Sequence, residues 1–222
     1  MTLTDSSTML ISLEEVRNYL NMFNIRVEGA LHIGAHDCEE LPVYHGLGLR
    51  SEDVVWIDAI EEKVAQNKAK GTPNVFHAAV ADEDGKEVTF YRTVNDQSSS
   101  ILPLDTHLQH YPWITVSSET KMNTVTIDTF LKVNGIAAEK LQFWNFDIQG
   151  AELLALKGAP EAIKFAKAIY LEVNKEHLYK GCALVEEIDE FLKPHGFLRV
   201  NTRFVEQGWG DALYVRVPTP SA

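Results

Sequence analysis

Acidic residues at the ends of two apolar runs in this 222-residue chain could act together in catalysis. Asp147 ends the run FWNFD, and Glu172 lies in the later run AIYLEV, which Asn174 follows. The carboxyl ends of neighbouring parallel strands meet in the crevice where open α/β sheets bind ligands. A carboxylate there can take the proton of a hydroxyl that attacks an electrophile, and the imidazole of His177 offers the same chemistry. We therefore predict Asp147, Glu172 and His177 as catalytic residues.

The same side chains allow other interpretations. Asp147, Glu172 and Asn174 could hold a hard divalent cation such as Mg²⁺, which prefers oxygen ligands. We favour base catalysis and predict no metal site, and the two cysteines, Cys38 and Cys182, are too far apart in sequence to form a zinc-binding pair. His177 could instead be a surface residue. Glu152 is most simply a favourable charge in the first turn of a helix.

The stretch ALHIGAHDCEE predicts a strand that turns into a helix, with Gly34 as its one glycine. A dinucleotide-binding turn uses several glycines and places a pyrophosphate at the helix N-terminus, where Asp37, Glu39 and Glu40 would repel it. S-adenosylmethionine fits better because it carries an ammonium and a sulfonium group. The alternative is that these acids cap the next helix, with Pro42 in its first turn.

Two further acids follow predicted strands. Asp58 ends the run VVWID, 24 residues after Gly34. A carboxylate at this separation reaches the ribose hydroxyls of an adenosine, although Asp58 could instead cap a helix that begins at Ile60. Asp82 could accept a hydrogen bond from the adenine amino group, while the sequence ADEDG around it is equally a turn.

Apolar runs that alternate with helical patterns position these residues. We predict strands at Gly29–Ala35, Val54–Ala59, Val75–Ala81, Phe143–Asp147 and Ala168–Val173, and helices at 12–23, Pro42–Leu49, Ile60–Lys70, Ala151–Lys157 (continuing towards Phe165) and Ala183–Lys193. This alternation predicts an α/β fold with a doubly wound, mostly parallel sheet. The tail, Phe197–Phe204 and Asp211–Val217, predicts a closing antiparallel pair.

Residues 86–125 interrupt the alternation, and their length makes them a candidate substrate loop or lid. Hydroxyls in the run from Gln97 to Ser100 could bind a polyol acceptor or belong to an ordinary solvated loop. Tyr111, Trp113 and Trp209 could stack on a sugar or pack internally.

Composition limits the partners of the protein. The net charge of −12 opposes nucleic-acid binding, and no apolar run approaches the ~20 residues of a membrane span. The N-terminus lacks the features of a signal peptide, and two cysteines are too few for a disulfide scaffold. We expect a cytoplasmic protein with one domain over residues 1–222, opening with a helical lead over 1–26. Nothing predicts its oligomeric state.

Six segments, taken in order, resemble a known family: IGAH, WIDA, QSSSIL, TVTIDTF, NFDIQGAELLALKGA and IYLEVN. They are similar to the FkbM-type methyltransferases, class I enzymes that use S-adenosylmethionine to methylate a hydroxyl, often on a sugar or a natural product. The resemblance covers about residues 27–217, and its most specific part runs from Asp147 to Gly158. It implies a seven-stranded Rossmann-like sheet. The family commonly has Asp where this chain has His32, and often Gly where it has Cys38.

We predict an S-adenosylmethionine-dependent O-methyltransferase that acts on a small-molecule or saccharide acceptor. The alternatives are an NAD(P)-dependent dehydrogenase, which the scarcity of glycine and the lack of a Tyr-x-x-x-Lys pair disfavour, and a non-catalytic nucleotide-binding module. The predicted cofactor-binding residues are His32, Gly34, Ala35, His36, Glu40, Asp58, Ala59, Asp82 and Asp147.

Overall fold

A computed structural model describes residues 9–217, so the first eight residues of the predicted lead lie outside the described part of the chain. The strands are β1 (Ala30–Ile33), β2 (Val54–Asp58), β3 (Val75–His77), β4 (Ala79–Val80), β5 (Glu87–Thr93), β6 (Val116–Val125), β7 (Phe143–Phe146), β8 (Ala168–Asn174), β9 (Phe197–Phe204) and β10 (Trp209–Arg216). The α-helices are α1 (Leu13–Met22), α2 (Leu41–Gly46), α3 (Glu61–Ala69), α4 (His107–His110), α5 (Ile127–Val133), α6 (Glu152–Lys157) and α7 (Val185–Leu192).

Seven strands form one sheet in the order β3-β2-β1-β7-β8-β10-β9. The first five are parallel, and β10 runs antiparallel to both β8 and β9. The predicted doubly wound, Rossmann-like sheet with a closing antiparallel pair is therefore confirmed. Because the order changes direction between β1 and β7, the ends of these two strands border the ligand crevice.

The predicted strand Val75–Ala81 is wrong in its extent, since the chain there divides into two strands. The Ala78 amide still donates to the Asp58 carbonyl at 3.0 Å, but Ala79 and Val80 pair with β6 in a second, three-stranded sheet of order β4-β6-β5. β5 and β6 pair antiparallel within the predicted insertion. Neither β6 nor α5 was predicted.

Helix ends follow local chemistry. Ser12 caps α1 in a capping box with Glu15. α6 ends at Lys157 and does not continue towards Phe165, because Pro160 cannot extend it and a separate 3₁₀ turn follows. A Cβ at Gly158 would overlap the Ala81 carbonyl oxygen, so this glycine allows the chain to pass close to β4.

Apolar clusters cover both faces of the main sheet. One contains Trp144 and Phe146 with residues of α5, α6 and α7, and the other contains Trp56 and Phe143 with residues of α1, α2 and α3. Burial of large side chains on both faces explains why these strands read as continuous apolar runs. Within residues 9–217, no helix is long and apolar enough to cross a membrane.

The segment before α1 is fixed to the middle of the sheet. The Leu10 amide donates to Asp211 Oδ2 at 2.7 Å, and the Ile11 amide donates to the Tyr170 hydroxyl at 3.2 Å. Tyr170 in turn donates to Asp211. Ile11 is fully buried. The N-terminal segment therefore forms part of the wall beside β8 and β10.

Replacing Gly34 by Ala tests the packing of the strand ends. Gly34 has φ +94°, and a Cβ there would overlap the Asp147 carbonyl oxygen, whereas Gly48 has φ +87° with no atom within 4 Å of its Cβ position. Gly34→Ala should lower the free energy of unfolding by about 1–3 kcal/mol more than Gly48→Ala, because only the first adds a clash to the cost of positive φ. Urea unfolding of both variants measures this, and equal losses would contradict the packing argument.

Candidate active site

A cavity of about 400 Å³ lies over the carboxyl ends of the parallel strands. Its volume is within the usual range for small-molecule sites. Residues after β1, β2, β7 and β8 form its floor, and the segment between β5 and β6 covers it. The carboxylates that line it are Glu39, Glu40, Asp58, Asp96, Asp147, Glu172 and Asp211.

The turn after β1 adopts the left-handed conformation three times. Gly34 has φ +94°, and His36 and Cys38 have φ +40° and +58°. The conformation at Cys38 is one that favours glycine, which accounts physically for the glycine that the resembling family often has there. Burial raises the pKa of the Cys38 thiol, which makes it a poor nucleophile.

The acids of this turn have different partners. Asp37 accepts a hydrogen bond from Lys63 at 2.8 Å, and Glu39 accepts from His36 Nδ1 at 2.8 Å and from the Asp37 amide at 3.0 Å. Glu40, the N-cap residue of α2, makes no side-chain cap bond, so the capping interpretation has no support there. Glu40 lines the cavity, whereas the Asp37 charge is balanced by lysine.

His32 lies beneath the turn in a buried polar network. Its Nδ1 is 2.7 Å from the Tyr44 hydroxyl, which also accepts from Asn145 at 3.1 Å, and its Nε2 is 3.9 Å from Glu40. Burial lowers the pKa of His32 to about 4, so the imidazole is neutral at pH 7. His32 lines a small polar cavity of about 20 Å³ behind the main one, together with Glu40 and Asp147.

Asp58 fixes the geometry at the end of β2. Its oxygens accept hydrogen bonds from the His36 and Ile60 amides, each at 2.7 Å. Desolvation raises its pKa despite these bonds. Asp58 lines the cavity and also holds the start of α3, so the ligand and capping interpretations are compatible, since each oxygen keeps a second acceptor site.

Gln149 bridges the two predicted catalytic carboxylates. Its side-chain amide donates to Asp147 Oδ1 at 2.6 Å and to Glu172 Oε2 at 2.8 Å, and its carbonyl oxygen accepts from the Tyr179 hydroxyl at 2.6 Å. Its backbone has φ +57°, and such strain in a non-glycine residue is concentrated at functional sites. Ser100 Oγ donates to the main-chain carbonyl oxygen of Gln149 at 2.8 Å, so a residue of the insertion also holds Gln149 in place.

The environments of the bridged acids differ. Glu172 is only 7% exposed, and desolvation with repulsion from Asp147 raises its pKa well above the ordinary value. The Asp147 side chain is accessible, but to the interior of the cavity. Desolvation raises its pKa as well, to about 6. A carboxylate with a raised pKa is a stronger base towards a hydroxyl proton.

The structure does not bring every predicted residue to the cavity. Gly34, His36, Glu40, Asp58, Ala59, Asp147 and Glu172 line it. Ala35 is buried behind the turn. Asp82 and His177 are exposed and lie outside the lining, and His177 Nδ1 is 2.9 Å from the Cys182 carbonyl oxygen. The roles of Asp82 and His177 stay predictions that no contact with the cavity supports.

Asp147, Glu172 and Asn174, the residues considered as ligands of a divalent cation, do not all face the same space in the cavity. Asn174 lies outside the lining, and the Gln149 amide stands between Asp147 and Glu172. Within the described chain, His36, Asp37 and Glu39 lie close enough to share a cation, but His36 already pairs with Glu39 and Lys63 with Asp37.

Aromatic residues form the side of the cavity away from β2 and β3. His107 is buried between the rings of Tyr111 and Tyr179, with centroid distances of 5.1 and 5.5 Å, and its Nδ1 has no hydrogen-bond partner in the structure. Trp209 Nε1 donates to the Tyr111 hydroxyl at 3.0 Å. Trp113 is exposed beside Tyr111. Sequence reasoning missed His107, Tyr179, Gln149 and Asp211, and only the position of Gln149 in DIQG beside Asp147 offered a signal.

Comparisons with known proteins agree on one kind of activity. The family model described as methyltransferase FkbM domain matches residues 18–199. The 2-O-methyltransferase NoeI of Sinorhizobium fredii (strain NBRC 101917 / NGR234) is 29% identical over 138 residues, which are 62% of this chain and 52% of that protein. The chain thus spans about half the length of this curated relative.

Solved structures with a similar arrangement are distant in sequence. Magnesium protoporphyrin IX methyltransferase (ChlM) from Synechocystis PCC 6803, with bound SAM, has a TM-score of 0.46 and 10% identity, over 92% of this chain and 77% of that one. A SAM-dependent methyltransferase from Aquifex aeolicus has a TM-score of 0.41 and 17% identity, over 94% of this chain and 91% of that one.

Gln149→Glu tests whether the amide bridge is needed. The variant replaces two N–H bonds to carboxylates with a third acid, which should lower the free energy of unfolding by about 2 kcal/mol or more at pH 8. Crowding raises the pKa of the new acid, so the folded variant binds extra protons and its deficit should shrink as pH falls to 5. Urea unfolding at both pH values measures this. Gln97→Glu, on the exposed part of the lining, should stay within about 0.5 kcal/mol of wild type, and a pH-independent deficit in Gln149→Glu would contradict the interpretation.

Proposed function

Because the chain belongs to the family of FkbM methyltransferase domains, we propose that it transfers a methyl group from S-adenosylmethionine to a hydroxyl oxygen of a saccharide or natural-product acceptor. S-adenosylmethionine is the expected cofactor of this family. The observation on which the proposal rests is the cavity over the strand ends, with Asp58 at one end and the bridged acids Asp147 and Glu172 beside it. The similarity to the 2-O-methyltransferase NoeI supports transfer to oxygen.

The residues present fit this cofactor. Gly34 allows the turn after β1 to lie directly against the Asp147 backbone, and Asp58 keeps acceptor sites for ribose hydroxyls. Ala79 and Val80 line the cavity beyond β3 and offer an apolar surface for adenine. Glu40 and Asp147 suit the cationic end. No lysine or arginine is found among the described lining residues, so the pyrophosphate of NAD would meet no counter-charge.

The residues of the chain supply a proton acceptor and its orientation. When bound, S-adenosylmethionine supplies an electrophilic methyl group, whose bond to sulfur breaks as the bond to the acceptor oxygen forms. The hydroxyl proton then passes to an oxygen of Asp147 or Glu172. Gln149 orients both carboxylates, and Tyr179 and Ser100 hold Gln149. Segment 94–115, which covers the cavity, would limit the entry of water.

The cofactor should bind in a pH-dependent manner. Its affinity should rise between pH 5.5 and 7.5, because desolvation holds the pKa of Asp147 at about 6 in the free protein and a cation prefers the ionised form. Calorimetric titration of the protein with S-adenosylmethionine measures this, with an increase of about fourfold between these two pH values as the upper limit for one carboxyl of this pKa. Parallel titration with NAD should give no binding. Binding of NAD alone, or an affinity that falls with rising pH, would contradict the assignment.

Methyl transfer tests the catalytic assignment. Asp147→Asn keeps the shape of the side chain and removes the base, so kcat should fall by roughly 10²–10⁴ if Asp147 takes the proton. Release of S-adenosylhomocysteine from a panel of hydroxylated acceptors measures the rate. Glu119→Gln, an equivalent change at an exposed position of β6, should leave kcat unchanged. Full loss of activity with EDTA, restored by Mg²⁺, would favour a metal-assisted reaction, and no transfer to any acceptor would favour a non-catalytic module.

A further inference from the structure

The carboxylates that line the cavity meet no lysine or arginine among the described lining residues. Glu40, Asp147, Glu172 and Asp211 line it, and among the described residues no lysine or arginine forms a salt bridge with Asp147, Glu172 or Asp211. Their hydrogen-bond donors are neutral groups instead: the Gln149 amide, the Tyr170 hydroxyl and the Leu10 amide. Desolvation raises the pKa of Asp211 to about 6, so this carboxylate is ionised above pH 7. Since the cationic end of S-adenosylmethionine would offset Glu40 and Asp147, Asp211 is the negative charge that is left facing the acceptor.

The acceptor must approach this charge from the aromatic side. Asp58 and the residues after β3 occupy the adenosine end, which leaves the region between Glu172, Asp211 and the aromatic rings for the acceptor. Tyr111 and Trp209 are joined by a hydrogen bond and line this region together. Flat rings suit the apolar face of a sugar, and carboxylates accept hydrogen bonds from its hydroxyls.

We propose that the acceptor is a phosphate-free glycoside, and that the lining acids reject the same sugar when it carries a phosphate or nucleoside diphosphate. This inference rests on the proposed function and adds the chemical class of the acceptor. A phosphate brought beside the unbalanced carboxylate of Asp211 is repelled, and discrimination by repulsion is a common source of specificity. The class of reaction that supplies the substrate is then a glycosyl transfer, in which a glycosidic bond forms and the nucleoside diphosphate leaves.

The test uses matched acceptors with the full chain and saturating S-adenosylmethionine. A panel of common hexoses and deoxyhexoses is supplied as methyl glycosides, as 1-phosphates and as nucleoside diphosphate sugars, and S-adenosylhomocysteine release gives kcat/KM. For the sugar that is methylated, the glycoside should exceed its phosphorylated forms on the order of 10²-fold. The ratio should shrink at 0.5 M salt, because screening weakens repulsion.

Two variants test whether the preference for the glycoside arises from the charge of the cavity lining. Gln97→Lys places a cation on the lining and should lower the preference for the glycoside, whereas Asn123→Lys makes the same charge change on β6, outside the lining, and should leave it unaltered. Equal or better use of the phosphorylated forms by wild type would overturn this inference and leave the proposed function standing. A preference that neither salt nor Gln97→Lys alters would also overturn it. S-adenosylmethionine binding without methylation of any acceptor would overturn the proposed function itself, and this inference with it.

Discussion

The site depends on the close approach of the ends of β1 and β7, where the Gly34 backbone lies against the Asp147 carbonyl. The Asp147 amide donates to the Ile33 carbonyl at 2.9 Å, so the two strands stay paired up to the point where both chains turn away. A side chain at Gly34 would separate them. This contact sets the turn that follows β1 directly beside the acid that follows β7, so the side chains of both border one cavity.

Unbalanced acids at the strand ends oppose folding, and the protein offsets them with neutral donors. Gln149 satisfies one oxygen of each bridged carboxylate, and Asp211 accepts from Tyr170 and from the Leu10 amide. A lysine in their place would lower the pKa of these acids and stabilise the empty protein, but it would also neutralise the charge that a cationic ligand needs. The strained backbone of Gln149 and the desolvated carboxylates therefore lower the stability of the folded protein, as is common at functional sites.

The sheet could be predicted because its strands are apolar on both faces and alternate with helical patterns. Asp58, Asp147 and Glu172 could also be placed, since the end of a parallel strand has a known position in the fold. The second sheet could not, because Ala79 and Val80 continue an apolar run and only tertiary pairing with β6 divides it. The roles of the acids in the turn after β1 could be predicted only in part, because Asp37 pairs with Lys63 of α3, which is distant in sequence.

The bond between Leu10 and Asp211 joins residues 201 positions apart, so the chain must close on itself before the wall of the small cavity is complete. β10 pairs with β8 and β9 and follows both of them in the chain. The earlier strands can pair with one another before Tyr170 and the N-terminal segment form their hydrogen bonds with Asp211 of β10. Such long-range closure is slow relative to local pairing. The acids of the site are therefore brought together only when β10 pairs with β8, which places Asp211 beside Tyr170 and Leu10.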